Sequence, residues 1–130
     1  MEPKEFAYII ESSKSFEDTI VSVLKSIDEQ GGWSVFSIYD LKERLAAKEF
    51  KIKRLKIIEL CSAKHANTLL GKEKLVSLCL PCRINILEDE GKVLIASMRP
   101  SIIPNFFQNI EKNTVVEIEA EIISIIKKAK

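Results

Sequence analysis

Short segments rich in β-branched and aromatic residues alternate along the chain with longer segments whose apolar residues recur at helical spacing. The short segments predict five strands, at residues 6–10, 33–39, 55–61, 83–87 and 93–97. Asp89, Glu90 and Gly91 separate the last two strands. Such a polar, glycine-containing connection is a hairpin signal, so these two strands are expected to be neighbours.

Capping residues mark the helices between the strands. Ser15 is predicted to cap a first helix, and glycine at position 31 ends it. Asp40 can cap a second helix that reaches about residue 48. Ser62 can cap a third, which runs to residue 70 and stops at Gly71. Each of these helices follows a predicted strand.

The last segment, residues 115–129, fits two patterns. Its apolar residues alternate with Glu117, Glu119 and Glu121, as in a strand, but they also form a stripe at helical spacing. Thr114 with Glu117 resembles a capping box, and the length of the segment favours a helix. We therefore predict a final helix.

The resulting order of elements is βαβαβαββα. Phe106 and Phe107 are in addition expected to pack a short helix onto the core, after a turn bracketed by Pro100 and Pro104. This order predicts an α+β fold, in which a small, mainly antiparallel sheet packs against helices. The length of 130 residues favours a single compact domain over residues 1–130.

Composition narrows the classes of partner. The net charge is +1, and the basic cluster Lys51, Lys53, Arg54 and Lys56 lacks interleaved aromatic residues, so nucleic acid is not an expected partner. No apolar run approaches the roughly 20 residues of a membrane span, and the charged start of the chain lacks a signal-peptide core. Three cysteines are an odd number for a disulfide framework. We expect a cytoplasmic protein that does not enter a membrane.

Candidate chemistry is concentrated in 22 residues that hold all three cysteines and the only histidine. Cys79 and Cys82 form a CxxC pair with Pro81 between them. A redox dithiol normally needs its first cysteine at a helix N-terminus, where the thiolate is stabilised. Here Cys82 opens a predicted strand and Cys79 lies among apolar residues, so a redox role for this pair is not favoured.

A zinc site is a second interpretation of the same residues. Cys61, His65, Cys79 and Cys82 supply three thiolates and one imidazole, which is a ligand set of structural zinc sites. The spacing of the CxxC half is acceptable. The other half is unusual, because Cys61 ends a strand whereas His65 lies on the following helix.

A third interpretation uses Cys61 and Cys82 alone. If the strands at 55–61 and 83–87 are antiparallel, the end of one meets the start of the other, and the two cysteines lie close together. Ser62, Lys64 and His65 would surround them, near a helix start that can attract an anion. The alternative is that both cysteines are buried and serve only in packing.

Several short motifs follow one another in order between residues 5 and 104. They are Phe16-x-Asp18, Gly32-Trp33-x-Val35-Phe36 with Asp40-Leu41, Ile57-x-x-Leu60-Cys61, and Leu80-Pro81-Cys82-Arg83-Ile84. In this order, the chain resembles the domain of unknown function 302 family of small bacterial and archaeal proteins. The resemblance implies a compact α+β domain with a small sheet, often found as a dimer, and it supplies no activity.

The resemblance also bears on the site. Cys61 and Cys82 match family positions, whereas Cys79 and His65 look specific to this sequence. We therefore expect a pocket at Cys61 and Cys82 that binds a small anionic or sulfur-containing ligand, or carries sulfur or redox equivalents. Its other expected residues are Ser62, Lys64, His65 and Arg83. A zinc-binding protein and a non-catalytic interaction module remain the alternatives, and a homodimer is expected.

Overall fold

The computed structural model describes residues 3–130 as alternating strands and helices. The strands are β1 (Ala7–Ser12), β2 (Ser34–Asp40), β3 (Leu55–Cys61), β4 (Cys82–Asp89) and β5 (Lys92–Met98). The helices are α1 (Pro3–Phe6), α2 (Phe16–Gln30), α3 (Leu41–Ala46), α4 (Ala63–Lys72) and α5 (Lys112–Ala129), with 3₁₀ helices at Lys74–Cys79 and Pro100–Asn105. The predicted order of strands and main helices is confirmed. The short α1 and the two 3₁₀ helices are additional.

The five strands form one antiparallel sheet in the order β1-β5-β4-β3-β2. Ile58 pairs with Ile84, and Ile86 pairs with Ile95, so four β-branched side chains meet on one face of the sheet. All four are fully buried. Burial of a side chain of this size typically contributes about 1.5–3 kcal/mol, so this face is the centre of the core. The predicted α+β class is confirmed.

Helices α2, α4 and α5 cover that face. Helix α5 places Ile118, Ile122 and Ile125 in the core, and α2 adds Val23 and Ile27. The two helices are also joined where the Ser26 hydroxyl donates to the Ile125 carbonyl at 2.6 Å. The helical stripe of the last segment thus outweighs its strand-like alternation, because only a helix presents these isoleucines on one side.

The predicted capping signals are confirmed at three helix starts. Ser15, Asp40 and Ser62 accept hydrogen bonds from backbone N–H groups in the first turns of α2, α3 and α4. The hairpin between β4 and β5 turns at Glu90 and Gly91, whose φ angles are 50° and 78°. Positive φ at both positions matches the type I′ turn that suits the twist of paired strands.

Three local predictions need correction. Phe106 and Phe107 follow a short 3₁₀ helix, Pro100–Asn105, and Phe107 packs against the core as expected, whereas Phe106 is exposed. Thr114 does not cap α5, which begins earlier, at Lys112. Strand β2 begins at Ser34, so Trp33 lies outside it. The first difference arises at a segment that contains two prolines. The second arises because α5 begins without a side-chain cap.

The other face of the sheet is partly exposed. Ile9 on β1 is 46% exposed, and Leu94, Ala96 and Met98 on β5 are half-buried. Among the helices of residues 3–130, none combines the length and apolar character that crossing a membrane requires.

Candidate functional site

A cavity of about 330 Å³ lies at the end of the sheet where β3 ends and β4 begins. Cys61, the last residue of β3, and Cys82, the first of β4, both border it. The start of β1 contributes Ala7, and the end of β5 contributes Met98. The cavity therefore forms where four strand ends meet the loop and 3₁₀ helix that precede β4.

The two cysteines lie on neighbouring antiparallel strands, one residue out of direct opposition. Cys82 pairs with Leu60, and Cys61 follows Leu60. Because side chains alternate along a strand, the two thiols leave the sheet on opposite faces at its end. All three cysteines are free.

Burial disfavours the thiolate form of each cysteine. Burial, with smaller contributions from charge on Cys61 and Cys79, raises the pKa of Cys82 to about 12. It also raises the pKa of Cys61 and of Cys79. Because these pKa values are raised, all three side chains are thiols near neutral pH. The thiolate, which is the form that acts as a nucleophile or a metal ligand, is therefore disfavoured.

A hydrogen-bonded cluster of His65, Glu121 and Trp33 lies beside the cavity. His65 Nε2 and Glu121 Oε2 are 2.7 Å apart, and Trp33 Nε1 donates to Glu121 Oε1 at 2.9 Å. The rings of Trp33 and His65 are also neighbours, with centroids 5.9 Å apart. Both rings are buried and line the cavity.

The ionisation of Glu121 reflects two opposing influences. Partial burial favours the neutral acid, but hydrogen bonds from Trp33 and His65, together with charge on His65 and Lys64, lower the pKa of Glu121 overall. The carboxylate is therefore held in the ionised form.

The two cations expected at the site lie in different places. Arg83 borders the cavity, and its guanidinium is 3.4 Å from Glu59 on β3. Lys64 does not line the cavity; its side chain is largely exposed, and its ammonium group is 3.8 Å from Glu117 on α5. Ser62, which also lines the cavity, uses its hydroxyl to cap α4.

The four residues of the zinc alternative are not gathered into one set of ligands. Within residues 3–130, the side chains whose ligand atoms group closely enough for a metal ion are His65, Glu117 and Glu121. No cysteine belongs to this group. The CxxC spacing failed as a guide here because Cys79 ends a 3₁₀ helix rather than lying in a knuckle turn.

Sequence reasoning named His65 but missed its partners Glu121 and Trp33. Glu121 lies 56 positions after His65, on a helix that no local pattern connects with α4. The available signal was weak: Glu121 follows Glu117 by four residues and so shares its side of α5. The contacts of Glu121 with His65 and Trp33 can be recognised only from the tertiary structure.

The fold and the cavity together define a small α+β domain with an antiparallel sheet, helices on one face and a mainly apolar cavity at one end. The family model described as "Domain of unknown function DUF302" matches residues 8–129. The chain therefore belongs to this family, as the resemblance in the sequence suggested.

One solved structure with the same fold is an uncharacterized conserved DUF302 protein from Bacillus stearothermophilus. It is 22% identical, with a TM-score of 0.89, and the match covers 96% of this chain and 98% of that chain. No curated protein matches the sequence.

Proposed function

We propose that the protein binds a small, mainly apolar ligand in the cavity bordered by Cys61 and Cys82. The cavity itself is the observation that carries this proposal: about 330 Å³ is within the range of small-molecule sites. A pocket with an apolar lining and a few polar groups is the usual form of such a site. Those polar groups here are His65, Arg83 and Asn85.

The lining supports an apolar body for the ligand, with polar contacts at one end. Its large side chains are apolar or aromatic: Trp33, Leu69, Leu80, Met98, Ile103 and Ile118. Arg83 is available to an acidic group, although Glu59 already balances part of its charge. The ligand we propose therefore has one polar or weakly acidic group on an apolar frame.

Binding is better supported than transfer of sulfur or redox equivalents by the cysteines. A sulfur carrier or redox dithiol needs a thiolate, and burial raises the pKa of Cys82 to about 12. In this proposal the thiols of Cys61 and Cys82 serve as apolar, polarisable wall of the cavity.

Filling the cavity tests this proposal. Ala66 lines the cavity, whereas Ala63, on the same helix, is exposed. We expect Ala66→Leu to weaken the binding of the apolar fluorescent probe anilinonaphthalene sulfonate at least several-fold, because the larger side chain occupies the space. Ala63→Leu is the matched control and leaves binding unchanged.

The comparison requires that both variants remain folded, which thermal unfolding followed by circular dichroism establishes. Equal probe binding by folded Ala66→Leu and the native protein would refute the cavity as the site. Native mass spectrometry of protein purified from its own host, without chelator or reductant, then gives the mass of any retained ligand.

We further propose that the protein is a cytoplasmic homodimer, in which a second copy covers the open face of the sheet. The apolar part of that face lies toward its β1 edge, around Ile9 and Leu94. Its charges are balanced in pairs, since Lys92 is 3.9 Å from Glu11 and Arg83 is 3.4 Å from Glu59. A charge-balanced apolar patch suits a two-fold contact, in which the same surface meets itself.

A further inference from the structure

We propose that His65, Glu117 and Glu121 form a binding site for a divalent transition-metal ion, with one imidazole and two carboxylate ligands. The site lies between α4 and α5 and uses none of the cysteines. It does not depend on the ligand proposed for the cavity, although His65 contributes to both.

The three ligand atoms are already close to the spacing that a metal ion requires. His65 comes from α4, and Glu117 and Glu121, four residues apart, share one side of α5. Their ligand atoms all lie within 4.8 Å of one another. Zinc bonds of about 2.0–2.2 Å place tetrahedral ligands about 3.4 Å apart. A rotation of the exposed Glu117 side chain brings its carboxylate closer, while His65 Nε2 and Glu121 Oε2, now 2.7 Å apart, separate slightly to admit the ion.

Two of the ligands are held in place by their surroundings. Trp33 Nε1 donates to Glu121 Oε1, which leaves Glu121 Oε2 facing His65 Nε2 at 2.7 Å. Metal-ligating carboxylates and imidazoles are commonly oriented by outer hydrogen bonds of this kind. Trp33 therefore acts as a positioning residue, and a metal ion would replace the proton that His65 and Glu121 share.

The charges in the cluster favour a divalent cation. Glu117 and Glu121 supply two carboxylates, and the ammonium group of Lys64 lies 3.8 Å from Glu117. Both Lys64 and Glu117 are largely exposed, so this pair contributes little stability and separates at little cost. A divalent ion can take the place of the lysine at Glu117.

The donor set indicates the class of metal. Imidazole suits zinc, iron and other first-row transition ions, while carboxylates are harder ligands, and three protein ligands leave coordination positions for water. The expected occupant is therefore Zn²⁺ or a related first-row ion. Its ligands differ from the thiolate-rich set that the CxxC motif suggests.

Titration with Zn²⁺ and Co²⁺ tests the site directly. The full chain, without a histidine tag, is titrated by isothermal calorimetry and by fluorescence of Trp33, the single tryptophan. We expect one Zn²⁺ per chain, and quenching of Trp33 by Co²⁺ because the indole contacts a ligand of the metal. The Co²⁺ complex should lack a thiolate-to-metal charge-transfer band.

Glu117→Gln is the principal variant, because its exposed side chain can be changed without disturbing the His65–Glu121 pair. It should weaken Zn²⁺ binding at least tenfold, whereas Glu29→Gln, an equally conservative change at an exposed glutamate on α2, should not. The triple change of Cys61, Cys79 and Cys82 to serine should also retain binding.

Three results would overturn the proposal. They are no saturable Zn²⁺ binding by the native chain, undiminished binding by Glu117→Gln, and loss of binding in the folded cysteine variant. None of these results bears on the apolar probe, whose binding is measured without metal. Failure of the metal site is therefore distinguishable from failure of the cavity as a ligand site.

Discussion

At the scale of single residues, the most unusual group is the Cys82 thiol. Burial raises its pKa from 9.0 to about 12. Between about pH 9 and pH 12 the Cys82 thiol keeps its proton in the folded chain. In the unfolded chain it loses the proton above about pH 9. Rising pH therefore favours the unfolded state through this group, and its contribution to stability is complete only below the unfolded pKa.

We predict that the native protein loses stability relative to Cys82→Ala as pH rises above about 9, by up to ~1.4 kcal/mol per pH unit. Urea unfolding of both proteins under reducing conditions measures the difference. Cys79→Ala, which removes a less buried thiol, is the control and should follow the native curve more closely. If the free energy of unfolding of the native protein and of Cys82→Ala changed with pH in parallel, Cys82 would ionise normally. The sulfur-transfer alternative would then be favoured again.

At the scale of secondary structure, α5 begins less favourably than the other long helices. Glu111 occupies its N-cap in an extended conformation, with φ −83° and ψ 151°, but its side chain makes no capping hydrogen bond. Aspartate has the shorter side chain that reaches the N–H groups of the first turn, and it keeps the negative charge near the helix N-terminus.

Glu111→Asp should therefore raise the free energy of unfolding by about 1 kcal/mol. Glu111→Gln, which neither caps nor keeps the charge, should bring no gain. Chemical unfolding of the three proteins at neutral pH makes the comparison. A loss of stability in Glu111→Asp would show that the longer glutamate side chain has a role at this helix start.

Some helix starts can be predicted from the sequence, and the start of α5 cannot. Ser15, Asp40 and Ser62 act within one turn of their own position, so their caps can be recognised locally. The start of α5 could not, because Thr114 has the residue type of a cap and yet lies inside the helix. There its hydroxyl accepts a hydrogen bond from Lys72 of α4.

For the candidate site the limit is one of distance along the chain. Cys61 and Cys82 were expected near each other because antiparallel strands bring an end to a start. The pairing of His65 with Glu121 depends on how α4 and α5 lie on the sheet, and no periodicity within either helix encodes that arrangement. The sequence thus identified the cavity wall better than the polar cluster beside it.

At the scale of the whole molecule, the open face of the sheet determines the expected assembly. Ile9→Lys places a charge in the apolar part of this face, and we predict that it converts the proposed homodimer into a monomer because the buried charge would lack a partner. Size-exclusion chromatography with light scattering measures the mass. Val21→Lys, at a more exposed position on α2, is the control and should leave the mass unchanged. A native protein that is already monomeric would refute the dimer.

The order of strands in the sheet has a consequence for synthesis on the ribosome. The first two strands made, β1 and β2, occupy the two outer edges, and the strands they pair with, β5 and β3, follow later in the chain. Helix α2 packs against α5, which follows all five strands in the chain. The nascent chain therefore emerges with Val23 and Ile27 incompletely covered until α5 has been made. Completion of this fold is a late event, and chaperone protection is most needed by its N-terminal third.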